Sequence, residues 1–106
     1  MDNTNIDDEL KLWKLKSKLP IILYQYIIDI NKVNCTECFA VMLGILERKY
    51  TQQNDLLLIR KIKENMHSYN YNRALTDIST NIFNCNNADL LKDLLSIVDI
   101  RNQQYL

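Results

Sequence analysis

Cys35-Thr36-Glu37-Cys38 is the sharpest chemical motif in the chain. A C-x-x-C at a helix N-terminus suits a redox pair, because the helix dipole lowers a thiol pKa. It also suits half of a zinc site. The βαβ pattern that accompanies such redox pairs is missing. For zinc, the remaining candidates, His67 and Cys85, stand at irregular spacing with no second C-x-x-C. The pair therefore reads as two small, half-buried apolar side chains one turn apart. His67 is the single histidine, and its nearest acid in sequence is Glu64, at i−3. General acid–base work recruits a histidine with an orienting carboxylate or a nucleophile. His67 reads instead as a helix C-terminal residue, placed where the dipole favours positive charge. Asp89 and Asp93, at i and i+4, read as solvated charges on an outer helix face. No catalytic, metal-ligating or cofactor-binding residue is assigned, and the expectation is a non-enzymatic protein without a cofactor.

Other side chains suit binding. Lys11, Lys14 and Lys18 recur at helical spacing, and Arg60, Lys61 and Lys63 form a second basic group. Thirteen basic and thirteen acidic side chains cancel, however. A domain that grips nucleic acid through its phosphates carries a basic excess. Nucleic-acid binding through these two groups is thus the alternative, and protein binding the leading expectation. Trp13, Tyr24, Tyr26, Tyr69 and Tyr71 are the candidate interaction residues, since exposed Trp and Tyr anchor protein interfaces. The first two helical segments offer more apolar surface than the other short helices can cover, which points to a partner helix or a second copy.

The elements that must carry these residues follow from composition. The 106 residues suit one domain, 1–106, with residues 1–6 as a loose tail. Sixteen Leu and thirteen Ile supply a core and argue against disorder. A single Gly and a single Pro exclude a glycine-rich phosphate loop and a nucleophile elbow. The acidic, polar start does not read as a secretory signal. The apolar run from Leu19 to Ile30 is too short to span a bilayer and is broken by Gln25 and Asp29. An odd count of three Cys implies no disulfide framework, which suits the cytoplasm or another reducing compartment. Thirteen Asn with few Ala and Val suggest an AT-rich genome, such as that of a large DNA virus, a protist or a low-GC bacterium.

With Gly and Pro scarce, Asn punctuates the chain, through its preference for helix caps and turns. Six segments result. The first runs from about Asp7 to Ser17, with Leu12, Leu15 and Leu19 on one stripe and Ile6, Leu10 and Trp13 on an adjoining one. The second starts at Pro20, in the favourable first helical position, and ends near Asn31. It is apolar all round, so a buried strand remains the alternative there. The third spans about Cys35 to Tyr50, with Asn34 and Glu37 in capping-box spacing. Phe39, Met42, Leu43, Leu46 and Tyr50 face inward, and Gly44 suggests close packing against a neighbour. The fourth, about Thr51 to His67, turns Leu58, Ile59, Ile62 and Met66 inward. The fifth spans about Asn72 to Phe83 and the sixth about Asn87 to Gln103. Short connections make consecutive helices antiparallel. The expected fold is all-α, a single compact bundle of five or six short antiparallel amphipathic helices.

Two resemblances accompany this pattern. Leu15-Lys16-Ser17-Lys18-Leu19-Pro20-Ile21 and Leu58-Ile59-Arg60-Lys61-Ile62 resemble the helical scaffold domains of transcription elongation factors and integrase-binding chromatin proteins. Cys38-Phe39-Ala40-Val41-Met42-Leu43, Asn54-Asp55-Leu56-Leu57 and Arg73-Ala74-Leu75 are similar in layout to death-fold domains, which are six-helix adaptors. The charge triad of a death-effector domain has no counterpart here, and no functional residue is carried across. The functional expectation is an intracellular protein-interaction module, a viral or host regulator acting through an apolar helix face or groove.

Overall fold

The computed structural model describes residues 3–104 apart from Tyr69, with side chains described from residue 6 to residue 98. Five helices form: α1 (Asn3–Lys32), α2 (Thr36–Lys49), α3 (Gln53–Asn65), α4 (Tyr71–Phe83) and α5 (Ala88–Gln104). No strand occurs among the described residues, so the segment from Pro20 to Asn31 is helical. The all-α bundle stands, with five helices among the described residues, within the expected five or six, and the first of them is long.

The expected break at Pro20 does not occur. α1 runs through it for 30 residues. Residues 3–6, expected as a tail, belong to the same helix. Proline in a helix interior loses one backbone hydrogen bond and crowds the carbonyl four residues back, costing about 3 kcal/mol. On both sides of it, Leu15, Leu19, Leu23, Ile27 and Ile30 form one buried row. Each such side chain contributes about 1.5–3 kcal/mol when fully buried. The row therefore outweighs the proline penalty, and tertiary packing carries the helix through.

α1 packs against α4 and α5 and borders α2, while α3 lies between α2 and α4. Phe39, Leu43 and Leu46 of α2, Leu58, Ile59 and Ile62 of α3, Ile78 and Ile82 of α4, and Leu90, Leu91 and Leu94 of α5 complete the core. Two contacts fix the direction of α4. Tyr24 meets Tyr71 edge to face at 5.8 Å, and Lys16 Nζ donates to the Phe83 carbonyl at 3.0 Å. The start of α4 thus lies near the later part of α1, and the two run antiparallel.

Asparagine does punctuate the chain, though not always as expected. Asn70 caps α4, its Oδ1 accepting from Arg73 N at 3.2 Å. Asn87 caps α5, accepting from Asp89 N at 3.1 Å and Leu90 N at 3.4 Å. Asn34 was expected to cap α2 but closes α1 instead. Its φ is 58°, in the left-handed region. Cys35 N bonds Ile30 O at 2.8 Å and Asn34 N bonds Asn31 O at 3.4 Å, the pairing of a Schellman motif. Cys35 is the N-cap residue of α2 and makes no side-chain capping bond.

Gly44 is not a close-packing site. A methyl group built there meets nothing within 4 Å, and its φ is negative. Gly44→Ala removes backbone freedom from the unfolded chain and clashes with nothing. It is expected to stabilise the fold by about 1 kcal/mol, read as a rise of about 4 °C or more in a thermal melt.

Candidate interaction surface

α1 carries two apolar rows. The buried row holds the helix in the bundle. The second consists of Ile6, Leu10, Trp13, Ile21 and Tyr24, with Ser17 in step between them. At about 100° per residue these six positions fall within an arc of roughly 80°. They cover eighteen residues in five steps, the 3.6-residue period of an α-helix, so they share one face over about 27 Å of helical rise. Ile6, Leu10, Trp13 and Ile21 are 63%, 49%, 58% and 60% exposed. Ser17 Oγ donates to Trp13 O at 2.9 Å, which satisfies its hydroxyl within the helix. Phe83 and Tyr71, both exposed on α4, extend the surface sideways beside Lys16 and Tyr24.

Charges border this row in an ordered way. Asp7, Lys14 and Lys18 lie along one edge, and Glu9 and Lys16 along the other, by the same helical geometry. Asp7, Glu9, Lys14 and Lys18 are exposed and make no ion pair with a described residue. Lys16 is committed inward, donating to Phe83 O at 3.0 Å and Asn86 Oδ1 at 3.2 Å.

The sequence candidates separate across the molecule. Trp13 and Tyr24 belong to the outer row, and Tyr71 stands at its end. Tyr26 lies on another face, its ring edge-on to buried Phe39 at 5.0 Å. Tyr69 lies outside the described residues. Lys11, Lys14 and Lys18 are exposed. In the second basic group, Lys61 pairs with Glu64 at 3.3 Å and Lys63 with Glu47, which leaves Arg60. Sequence reasoning missed Ile21 as a surface residue. The signal was its 3.6-residue phase with Ile6, Leu10 and Trp13, which shows only in a helix continuous through Pro20.

The chemical candidates are also dispersed. No group of three His, Cys, Asp or Glu able to hold a metal occurs among the described residues. Cys35 and Cys38 are exposed, and Cys85 is buried. Burial pushes the Cys85 thiol above its ordinary pKa, and the Asp55 carboxylate adds to the shift. Two thiols are expected to react promptly with a disulfide reagent in the native protein and the third only after unfolding. Counting the released chromophore with and without denaturant checks this.

Asp93 is not a free surface charge. It accepts from Tyr50 Oη at 2.6 Å and from Lys49 Nζ at 2.9 Å, tying the end of α2 to α5. Desolvation would raise this carboxyl, but the two hydrogen bonds and the lysine charge outweigh it and hold it low. A carboxyl depressed by folding stabilises above its unfolded pKa, about 3.9, and that contribution vanishes as pH falls through the folded value. Asp93→Asn is therefore expected to lower the urea midpoint at pH 7. The gap to the parent protein should narrow below about pH 4, as a pH series of denaturation curves will show.

Three further surfaces contribute less. A polar cavity of about 400 Å³ lies at the N-termini of α3 and α5, and its buried carboxylate, Asp55, is bonded by Asn87 Nδ2 at 2.9 Å. A shallow apolar groove of about 350 Å³ between α2 and α5 is lined by Met42, Ile45 and Ile97 beside the Lys49–Asp93 pair. His67 is exposed beyond α3, beside Asn31, Ser68 and Tyr71. No helix is long and apolar enough to cross a membrane among the described residues.

The fold and this surface define the class no further than a five-helix all-α bundle with an open helix face. Comparison with known proteins finds no matching family model, no similar curated protein and no similar solved structure.

Proposed function

We propose that this chain is a non-enzymatic protein-interaction module that docks an amphipathic partner helix along the outer row of α1. The observation that carries the reading is the exposure of Ile6, Leu10, Trp13 and Ile21 along one face of a helix whose opposite face, from Leu15 onward, is buried in the bundle. Contiguous apolar surface of this kind, with a tryptophan at its centre and charges at its rim, is the anatomy of a docking site. The rim specifies the occupant. A matching helix carries its own apolar row, acidic side chains against Lys14 and Lys18, and a basic one against Asp7. Three free thiols, two of them exposed, suit a reducing compartment. Nucleic acid is the weaker reading, because Lys61 and Lys63 already have acidic partners and the total charge is zero.

Photo-crosslinking tests this. A photoreactive residue in place of Trp13 is expected to give discrete adducts in native lysate, and one in place of Lys32 none. Adducts should disappear when Leu10→Asp and Ile21→Asp are introduced beside the probe. Equal labelling from both positions, or adducts indifferent to those two substitutions, overturns the reading.

A further inference from the structure

Resting on that reading, we infer that the occupant of the outer row is the α1 helix of a second copy of this chain, packed antiparallel. α1 meets that specification at Asp7 and Lys18: it carries a continuous apolar row, with acid toward its beginning and base toward its middle. In an antiparallel two-fold pair, each edge of one helix faces the same edge of the other. Asp7 of one copy then lies against Lys18 of the other, twice by symmetry, with Lys14 one turn nearer the axis. On the opposite edge, Glu9 lies toward Lys16. This register brings the two Trp13 side chains close to the symmetry axis, and Ile6 of each copy toward Ser17 and Ile21 of the other.

The parallel arrangement fails on the same geometry. Opposite edges would then meet, setting Asp7 against Glu9 and Lys14 and Lys18 against Lys16. Like charges facing each other across an interface oppose association. Asp7, Glu9 and Lys18, which make no ion pair with a described residue, come against opposite charge only in the antiparallel pair, while Lys14 lies beside its own symmetry mate near the axis. Zero net charge removes long-range repulsion between copies. With 7 set against 18, residues 6–19 of the two copies face each other, and this seam of about four turns, edged by Phe83, lies near the lower end of specific interfaces, about 1,000 Å² in total. Association is accordingly expected in the micromolar range.

Sedimentation equilibrium of the purified full chain from about 1 to 500 µM, a span that brackets that range, tests the inference. Circular dichroism verifies that each variant stays helical. The parent protein is expected to dimerise, and Leu10→Asp to remain monomeric throughout. Asp7→Lys and Lys18→Glu should each weaken the dimer about tenfold, since each sets like charges together twice. The double variant Asp7→Lys/Lys18→Glu should restore parental affinity. A parent that stays monomeric, a dimer indifferent to Leu10→Asp, or a double variant no tighter than the singles overturns the inference. A purified monomer whose Trp13-position probe still labels another protein in lysate removes the second copy and leaves the docking reading intact.

Discussion

Phe39→Ala is expected to cost about 3–5 kcal/mol, the range for removing a fully buried aromatic ring. Phe39 has no exposed surface and is among the largest fully buried side chains. It stands on the second turn of α2, so its ring is the first deep anchor of that helix after the Asn34 turn. Tyr26 of α1 packs edge-on against it at 5.0 Å, which adds a directional aromatic contact to the loss of apolar area. α2 has few other ties to α1, so the void left by the ring weakens the seam between them most. At about 4–8 °C per kcal/mol for a domain near this size, the melting temperature falls by about 12 °C or more. Phe39→Leu keeps most of the volume and should lose less than half as much. Paired thermal melts of the two variants check both statements.

Asp55→Ala is the second large effect, at about 2–4 kcal/mol. Asp55 is a 4% exposed carboxylate in the first turn of α3. Its Oδ2 accepts from Asn87 Nδ2 at 2.9 Å, and Oδ1 lies 3.8 Å from Cys85 Sγ. Asn87 uses its other end, Oδ1, to cap α5. The carboxylate thus orients the side chain that starts α5, and both helix N-termini favour its negative charge. Its removal leaves a part-buried amide donor without a partner and loosens a cap, two penalties of about 1–2 kcal/mol each. Asp55→Asn retains one acceptor oxygen for Asn87 and should forfeit about half. Urea unfolding at pH 7 measures the difference. Amide exchange at Asp89 and Leu90 should quicken in Asp55→Ala before that of the core.

The two effects differ in how visible their residues were beforehand. Phe39 belongs to the row Phe39, Leu43, Leu46, Tyr50, whose helical phase marks an inward face without any structure. Leu58, Ile59, Ile62 and Met66 were equally plain. Asp55 offered no such signal, because a carboxylate in the first turn of a helix is usually solvated. Only the placement of Asn87, thirty-two residues away, makes it structural. Pro20 and Asn34 misled for a common reason. Proline suits both a helix start and a well-packed interior, and asparagine suits both an N-cap and a left-handed C-terminal turn. Local chemistry allows each alternative, and distant packing chooses. The candidate surface was half legible: Trp13 and Tyr24 were named, but their alignment with Ile21 was hidden by the expected break. Met42, expected inward, is partly exposed beside the α2–α5 groove.

The length of α1 has a consequence for synthesis of the chain. Its inward row is covered by α4 and α5, which leave the ribosome well after it. At about 5–20 residues per second, several seconds separate completion of α1 from emergence of the side chains that shield it. During that interval both oily sides of a rod about 45 Å long stand in water. The nascent polypeptide is therefore expected to engage a holding chaperone early and to leave it only as α5 docks.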